Sequence, residues 1–157
     1  MRLDSLDRNI QGVFLFLTMI TKEIKSDLLK IRGELERVAG KYSEWMNGNL
    51  CGACAISALL TYRYFKKKGY NPKFLYGDHH CLITVEDYFV DLTATQFDNT
   101  NPEVLVDDIA CLGDYYDLEH NKFRTWKKPV SVAFPVIWAG QHPYVVLKKF
   151  RRLKSIV

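Results

Sequence analysis

The uncharged apolar region Asn9 to Thr21 falls short of the ~20 residues a helix needs to cross a bilayer. The same run makes a poor export signal, because Asp4 and Asp7 occupy the place of a positive leader and no A-x-A pattern follows. Cysteine is scarce. Cys51, Cys54, Cys81 and Cys111 are too few and too clustered for a secreted disulfide scaffold, so they read as thiols, a nucleophile or metal ligands in a cytoplasmic protein. The 5 prolines and 9 glycines are scattered, which leaves no linker, repeat or low-complexity segment to divide the chain. A dominant charge sign is missing too. The net charge is +4, and without Lys148, Lys149, Arg151, Arg152 and Lys154 in the C-terminal tail the remainder is near −1. A specific nucleic-acid-binding face is therefore not expected, and the tail offers only a weak, salt-sensitive attraction to anionic surfaces.

What is present is a core-forming composition, 48% hydrophobic and 13% aromatic, in a length suited to one domain spanning 1–157. Residues 1–46 read as helical. Ile10, Val13 and Leu17 share one face, and Ile24, Leu28, Ile31, Leu35 and Val38 continue in steps of four and three, with a break expected near Thr21 to Ser26 and a stop at Gly40. A polar turn leads to a second helix from Cys54 to Lys68, apolar at Ile56, Leu59, Leu60 and Tyr64 and closed by Gly69. The period then changes to alternation. Lys73 to Tyr76 is a strand, and His80 to Val85 and Tyr88 to Leu92 form a hairpin around Glu86-Asp87. Within 98–157, Asn99 to Pro102 is a turn and Glu103 to Asp107 a strand, while Gly113 to Lys128 fits a short helix or an ordered loop. Val130 to Trp138 has strand composition interrupted by Pro135, and Tyr144 to Leu153 suits either period. Helices followed by mainly antiparallel strands give an α+β domain.

The chemistry-bearing residues lie in 47–97. Cys54 opens a helix, where unpaired N–H groups and the dipole favour a thiolate. With a two-residue loop at Glu86-Asp87, Val85 pairs with Tyr88 and Leu82 with Asp91. His80 then shares a face with Asp91 one diagonal step away, ~7–8 Å at the backbone, and His79 points to the other face. Cys, His and Asp so disposed supply a thiolate, a proton shuttle and a carboxylate that fixes the imidazole.

Cys54 followed fifteen residues later by Gly69, then Gly77, then His80-Cys-Leu-Ile-Thr-Val-Glu-Asp-Tyr-Phe-Val-Asp91-Leu-Thr-Ala-Thr-Gln-Phe97, resembles the transglutaminase-like branch of the papain-like cysteine hydrolases. That branch commonly has a helix-borne Cys, a strand like H-x-W-V-E-V and a following strand ending in D-x-T-A-x-Q-F. The resemblance covers about a third of the chain, from Asn47 to Phe97. It implies a cysteine-proteinase-like fold, with the nucleophile helix packed on an antiparallel sheet, and assigns Cys54 as nucleophile, His80 as general base and Asp91 as its orienting partner. Leu82 stands where the family has an aromatic, and Glu86-Asp87 replaces its D-G turn. No Gln precedes the Cys to bind an oxyanion; Asn47 or Asn49 can substitute beside the Cys54 N–H, and Gln96 is a candidate for substrate contact or packing.

The expected activity is amide hydrolysis or acyl transfer on a protein or peptide substrate (protease, glutamine deamidase or transglutaminase type) through a thioester, without a cofactor. Two other classes compete. One is a catalytically inactive binding module of the same fold. The other is a zinc-stabilised interaction domain using Cys51 and Cys54 with His79, His80 and Cys81, although adjacent strand residues point to opposite faces and cannot all converge. Cys81 is expected in the core and facing away from His80, and His120 and His142 in solvent.

Overall fold

The computed structural model describes residues 20–39, 50, 52–128, 130, 131, 135, 147, 148 and 151. Asn47, Asn49, Cys51, His142 and most of the basic tail lie outside the described residues, as do the expected helix before position 20 and most of the segments expected at 130–138 and 144–153. Pro135 is helical, so the strand expected across it is not formed at that position.

Helix α1, Lys22–Ala39, begins where the break was expected. Thr21 caps it, its Oγ1 accepting the Ile24 N–H at 3.2 Å. The stripe Ile24, Leu28, Ile31, Leu35 and Val38 is buried throughout, as the spacing predicts. Helix α2, Cys54–Lys67, is buried over most of its length, and its chain turns away through Gly69 at φ 90°, a conformation that carries no Cβ penalty only for glycine. The two helices are joined polar-to-polar at their ends, with Tyr64 Oη donating to Asp27 at 3.0 Å and Lys68 Nζ 3.1 Å from Glu23.

Among the described residues, five antiparallel strands form one sheet: β1 Lys73–Tyr76, β2 Cys81–Val85, β3 Tyr88–Asp91, β4 Leu105–Asp108 and β5 Arg124–Thr125, in the order β4-β3-β2-β1-β5. The hairpin register is the expected one, with Val85 opposite Tyr88, Thr84 opposite Phe89 and Ile83 opposite Val90. Continued one step, it sets Leu82 opposite Asp91. Glu86 supplies the left-handed residue of the loop at φ 55°, a position that usually takes glycine. The turn is held from outside by the Ile109 N–H on the Asp87 carbonyl at 2.8 Å. Strand β4 starts and ends slightly later than expected, at Leu105 and Asp108, and the ambiguous stretch resolves into a short helix α3, Leu112–Tyr115, then loop and β5.

Alternation along the strands divides the core in two. Phe74, Cys81, Ile83, Val85, Tyr88 and Val90 face the helices. Leu82, Phe89 and Leu105 face the other way, under Leu112 and Tyr116. An α+β architecture with the Cys54 helix packed on an antiparallel sheet is thus observed among the described residues. None of the described helices is long and apolar enough to cross a membrane.

Two tethers position the site from outside the sheet. Arg32 of α1, buried, pairs with Glu36 at 2.7 Å and reaches across to donate to the Leu92 carbonyl and, at 3.0 Å, to Thr95 Oγ1. Asn121 packs into the β1–β2 turn, where its Oδ1 accepts the His79 N–H at 3.3 Å and Gly77 donates to the His80 carbonyl at 2.7 Å. A Cβ on Gly77 would stand 1.9 Å from Asn121 Oδ1. Gly77→Ala is therefore expected to lower stability by about 1–3 kcal/mol, the cost of overpacking a closed site. In urea denaturation the Gly77→Ala/Asn121→Ala double variant should lose less than the sum of the two single changes.

Candidate active site

Cys54 is the first residue of α2, and the preceding Ala53 has no side chain with which to cap the helix. The first-turn N–H groups have no intrahelical acceptors and form the positive end of the dipole, so an anion is favoured there. The approach is tightly wound. Leu50, fully buried, takes a left-handed φ of 59°, Gly52 takes 80°, and the Ala53 N–H closes the turn on the Leu50 carbonyl at 2.9 Å. A leucine in that conformation costs on the order of 1 kcal/mol, which its burial offsets.

His80 stands immediately before β2 rather than as its first residue, and its ring is fully enclosed. Its Nε2 lies 2.7 Å from Asp91 Oδ2, which confirms the diagonal neighbour relation inferred from the loop length. The carboxylate is saturated by further donors: Tyr116 Oη to the same oxygen at 2.6 Å, and the Thr93 N–H and Oγ1 to Oδ1 at 2.7 and 2.8 Å. Tyr116 also stacks on the imidazole, ring centroids 5.3 Å apart, while Phe97 meets it edge-on at 4.8 Å and Phe123 at 6.4 Å. Phe97 is half exposed and forms the outer wall. With Nε2 committed to Asp91, the Nδ1 edge is left for Cys54 and for Gln96, whose Nε2 is 3.3 Å away.

The electrostatics favour a charge-separated pair. Hydrogen bonding from the Cys81 thiol, the largest influence, combines with the His80 hydrogen bond and charge to hold the Cys54 thiol down at about 5 against the opposing effect of burial. Burial pushes the His80 imidazolium down, but the Asp91 charge and hydrogen bond, with Cys54 added, outweigh it and hold the group up at about 10. Burial also opposes the Asp91 charge, yet His80, Tyr116 and the Thr93 N–H together keep its carboxyl below the usual range. Burial and the neighbouring Cys54 push the Cys81 thiol well up, so it remains a protonated donor. Burial and Asp91 do the same for the Tyr116 phenol.

Cys54, His80 and Asp91 therefore converge as the sequence predicts, and Gln96 joins them at Nδ1. His79 and His80 diverge, the first exposed and the second buried, and among the described residues no group of three or more His, Cys, Asp or Glu is arranged to hold a metal. His120 is exposed as expected but pairs with Asp117 at 2.7 Å. Cys81 is buried in the core on the helix-facing side of the sheet, away from His80, as expected. Tyr116 and Thr93 escaped sequence reading. The Asp91-x-Thr93 spacing, which permits a side-chain turn onto the carboxylate, was a usable signal for Thr93; Tyr116, twenty-five residues beyond Asp91, had none.

Removing the phenol tests the carboxylate's setting. Asp91 has a depressed folded-state pKa, so its contribution to stability is present above the unfolded value of 3.8 and is lost as pH falls through the folded value. Tyr116→Phe withdraws one donor and raises that folded value. The expected result is a loss of about 1–2 kcal/mol near neutrality and an acid limb of the stability curve displaced to higher pH, measured by urea denaturation across the acid range.

Against known proteins the chain matches no family model, no curated protein and no solved structure.

Proposed function

We propose that the protein is a cysteine-dependent amide hydrolase or acyl transferase with a transglutaminase-like, cysteine-proteinase-like core. The observation that carries this reading is the 2.7 Å bond from His80 Nε2 to Asp91, which turns the other edge of the imidazole toward a helix-start cysteine. A buried carboxylate is unneeded for packing, and it orients a histidine in the way a proton shuttle requires.

The Cys54 thiolate attacks an amide carbonyl and forms the C–S bond. His80 gives its Nδ1 proton to the leaving amine as the C–N bond breaks, and a thioester remains. Water, deprotonated by the now neutral His80, releases the acid and restores the thiolate. An amine in place of water completes acyl transfer. Gln96 Nε2 donates to Nδ1 when His80 is neutral; in the imidazolium state Nδ1 no longer accepts, and that amide N–H becomes available to the substrate carbonyl oxygen beside the Cys54 N–H. The substrate class is a peptide amide or a glutamine side chain, with hydrolysis the first choice.

One observation favours a second reading. Cys54 is 3% exposed and His80 not at all, so the same fold can serve as a closed, inactive binding module. Activity and alkylation separate the two. With the thiol held at about 5, iodoacetamide labelling of Cys54 should rise through that value and level off near neutrality, well ahead of Cys81 and Cys111. Turnover should be bell-shaped, falling below about 5 as Cys54 protonates and above about 10 as His80 loses its proton. Cys54→Ala should abolish ammonia or amine release from glutamine and peptide amides while leaving the circular dichroism unchanged, and His80→Ala should slow labelling. Fast labelling without turnover on any amide would favour the binding module. Unfolding of Cys54→Ala with loss of bound zinc would favour the metal domain.

A further inference from the structure

We propose that the open cavity beside β5, at the edge of the sheet, binds an acidic segment of the peptide substrate, so that amides about three residues from a glutamate or aspartate are preferred. The proposal rests on the amide chemistry of the reading above and names the kind of peptide that the site selects.

The cavity, about 600 Å³ in volume, is lined by Tyr76, Arg124, Thr125, Trp126, Lys127 and Lys128, so its lining carries three cations and no carboxylate. Aromatic rings form its floor. Tyr76 meets Trp126 edge-on at 5.5 Å, and both pack on the buried cluster that contains Cys54. Lys128 Nζ lies 5.8 Å from the centroid of the Trp126 ring, a contact that holds the ammonium in place without neutralising it. Arg124, Lys127 and Lys128 are all exposed, and among the described residues none of them is paired with a carboxylate. Lys30, Arg32, Arg37 and Lys68, by contrast, each have a carboxylate partner. A cleft lined by one sign of charge concentrates ligands of the other sign.

Strand register places this cavity close to the triad. Tyr76 pairs with Cys81, the residue after His80, on one side and with Arg124 on the other. Two strand spacings of ~4.8 Å therefore separate Cys81 from Arg124, about 10 Å in all. Phe123, the residue before Arg124, meets the His80 ring at a centroid distance of 6.4 Å, so the segment that walls the imidazole continues directly into the cations. An extended peptide advances ~3.3 Å per residue, and about three residues bridge the same span. Among the described residues β5 is the outermost strand on this side, and a sheet edge is where an extended chain is most readily accommodated. Three exposed cations match one or two carboxylates, whereas a nucleic acid calls for a longer basic track along its phosphates. Each exposed pairing is weak, and together they select among peptides more than they drive binding.

The test uses fluorescein-labelled peptides with one central glutamine and a glutamate about three residues to either side, compared with peptides carrying serine or lysine at those positions. Anisotropy on the full chain with Cys54→Ala reads binding without turnover, and ammonia or amine release by the unaltered protein reads kcat/KM. The glutamate peptide should bind roughly tenfold more tightly than the serine peptide, with the lysine peptide weakest, and the preference should fade as salt is raised. Replacing the three cations together (Arg124→Gln, Lys127→Gln, Lys128→Gln), with folding checked by circular dichroism, should bring the glutamate-to-serine ratio to about one in both assays. Equal binding of the three peptides to the chain with its cations intact, or tighter binding of a single-stranded oligonucleotide of equal charge, would overturn the proposal. Turnover without preference for glutamate sinks this inference alone. Salt-sensitive binding of the glutamate peptide without turnover of any peptide sinks the amide chemistry and leaves the acidic-peptide site. With neither binding nor turnover, both fall.

Discussion

A carboxylate shut away from water governs the architecture around it. Asp91 is 3% exposed, and an isolated buried charge of that kind is costly enough that a protein either protonates it or surrounds it with donors. Here it is surrounded: His80, Tyr116 and Thr93 supply four contacts to its two oxygens. Each donor comes from a different part of the chain, the β1–β2 turn, the end of α3 and the loop after β3, so satisfying one charge fixes three segments relative to β3. The aromatic walls follow from the same constraint. Tyr116 can donate to Asp91 only by lying against the imidazole, and Phe97 and Phe123 then close the gap at the ring edges.

Helix α1 takes part through Arg32, a buried cation that the helix stripe alone does not account for. Its guanidinium spans Glu36, the Leu92 carbonyl and Thr95, tying the helix to the 3-10 turn Ala94–Gln96 that holds Gln96 beside His80. The planar fork of arginine suits such a three-way contact, and lysine would not reproduce it. The placement of Cys54 and that of His80 thus depend on separate helices. Backbone geometry of α2 places Cys54, whereas a side chain of α1 secures the loop flanking His80.

The parts legible in the sequence are those set by local period and short spacing. The buried stripe Ile24 to Val38, the start of α2 at Cys54 and the two-residue loop that carries Leu82 opposite Asp91 all follow from positions within one or two elements. Even the absence of glycine at Glu86 did not change the loop, because the Ile109 N–H on the Asp87 carbonyl secures it from the 3-10 turn after β4, outside the hairpin. What escaped depends on contacts across the sheet. Tyr116 reaches Asp91 from beyond β4, and Arg32 reaches Leu92 from sixty residues earlier. Alternation alone had sent Cys81 to the opposite face from His80. The structure agrees, with Cys81 buried among the helix-facing residues.

The complete enclosure of His80 has a spectroscopic consequence. The proton shared between Nε2 and Asp91 Oδ2 at 2.7 Å is screened from water by Tyr116, Phe97 and Phe123. Exchange of such a proton requires the aromatic shell to open, so its lifetime is set by local opening of the protein rather than by solvent collision. In a proton NMR spectrum it would persist as a discrete, far-downfield resonance where an exposed imidazole proton is averaged into water, and its broadening with temperature would time the opening of the aromatic shell.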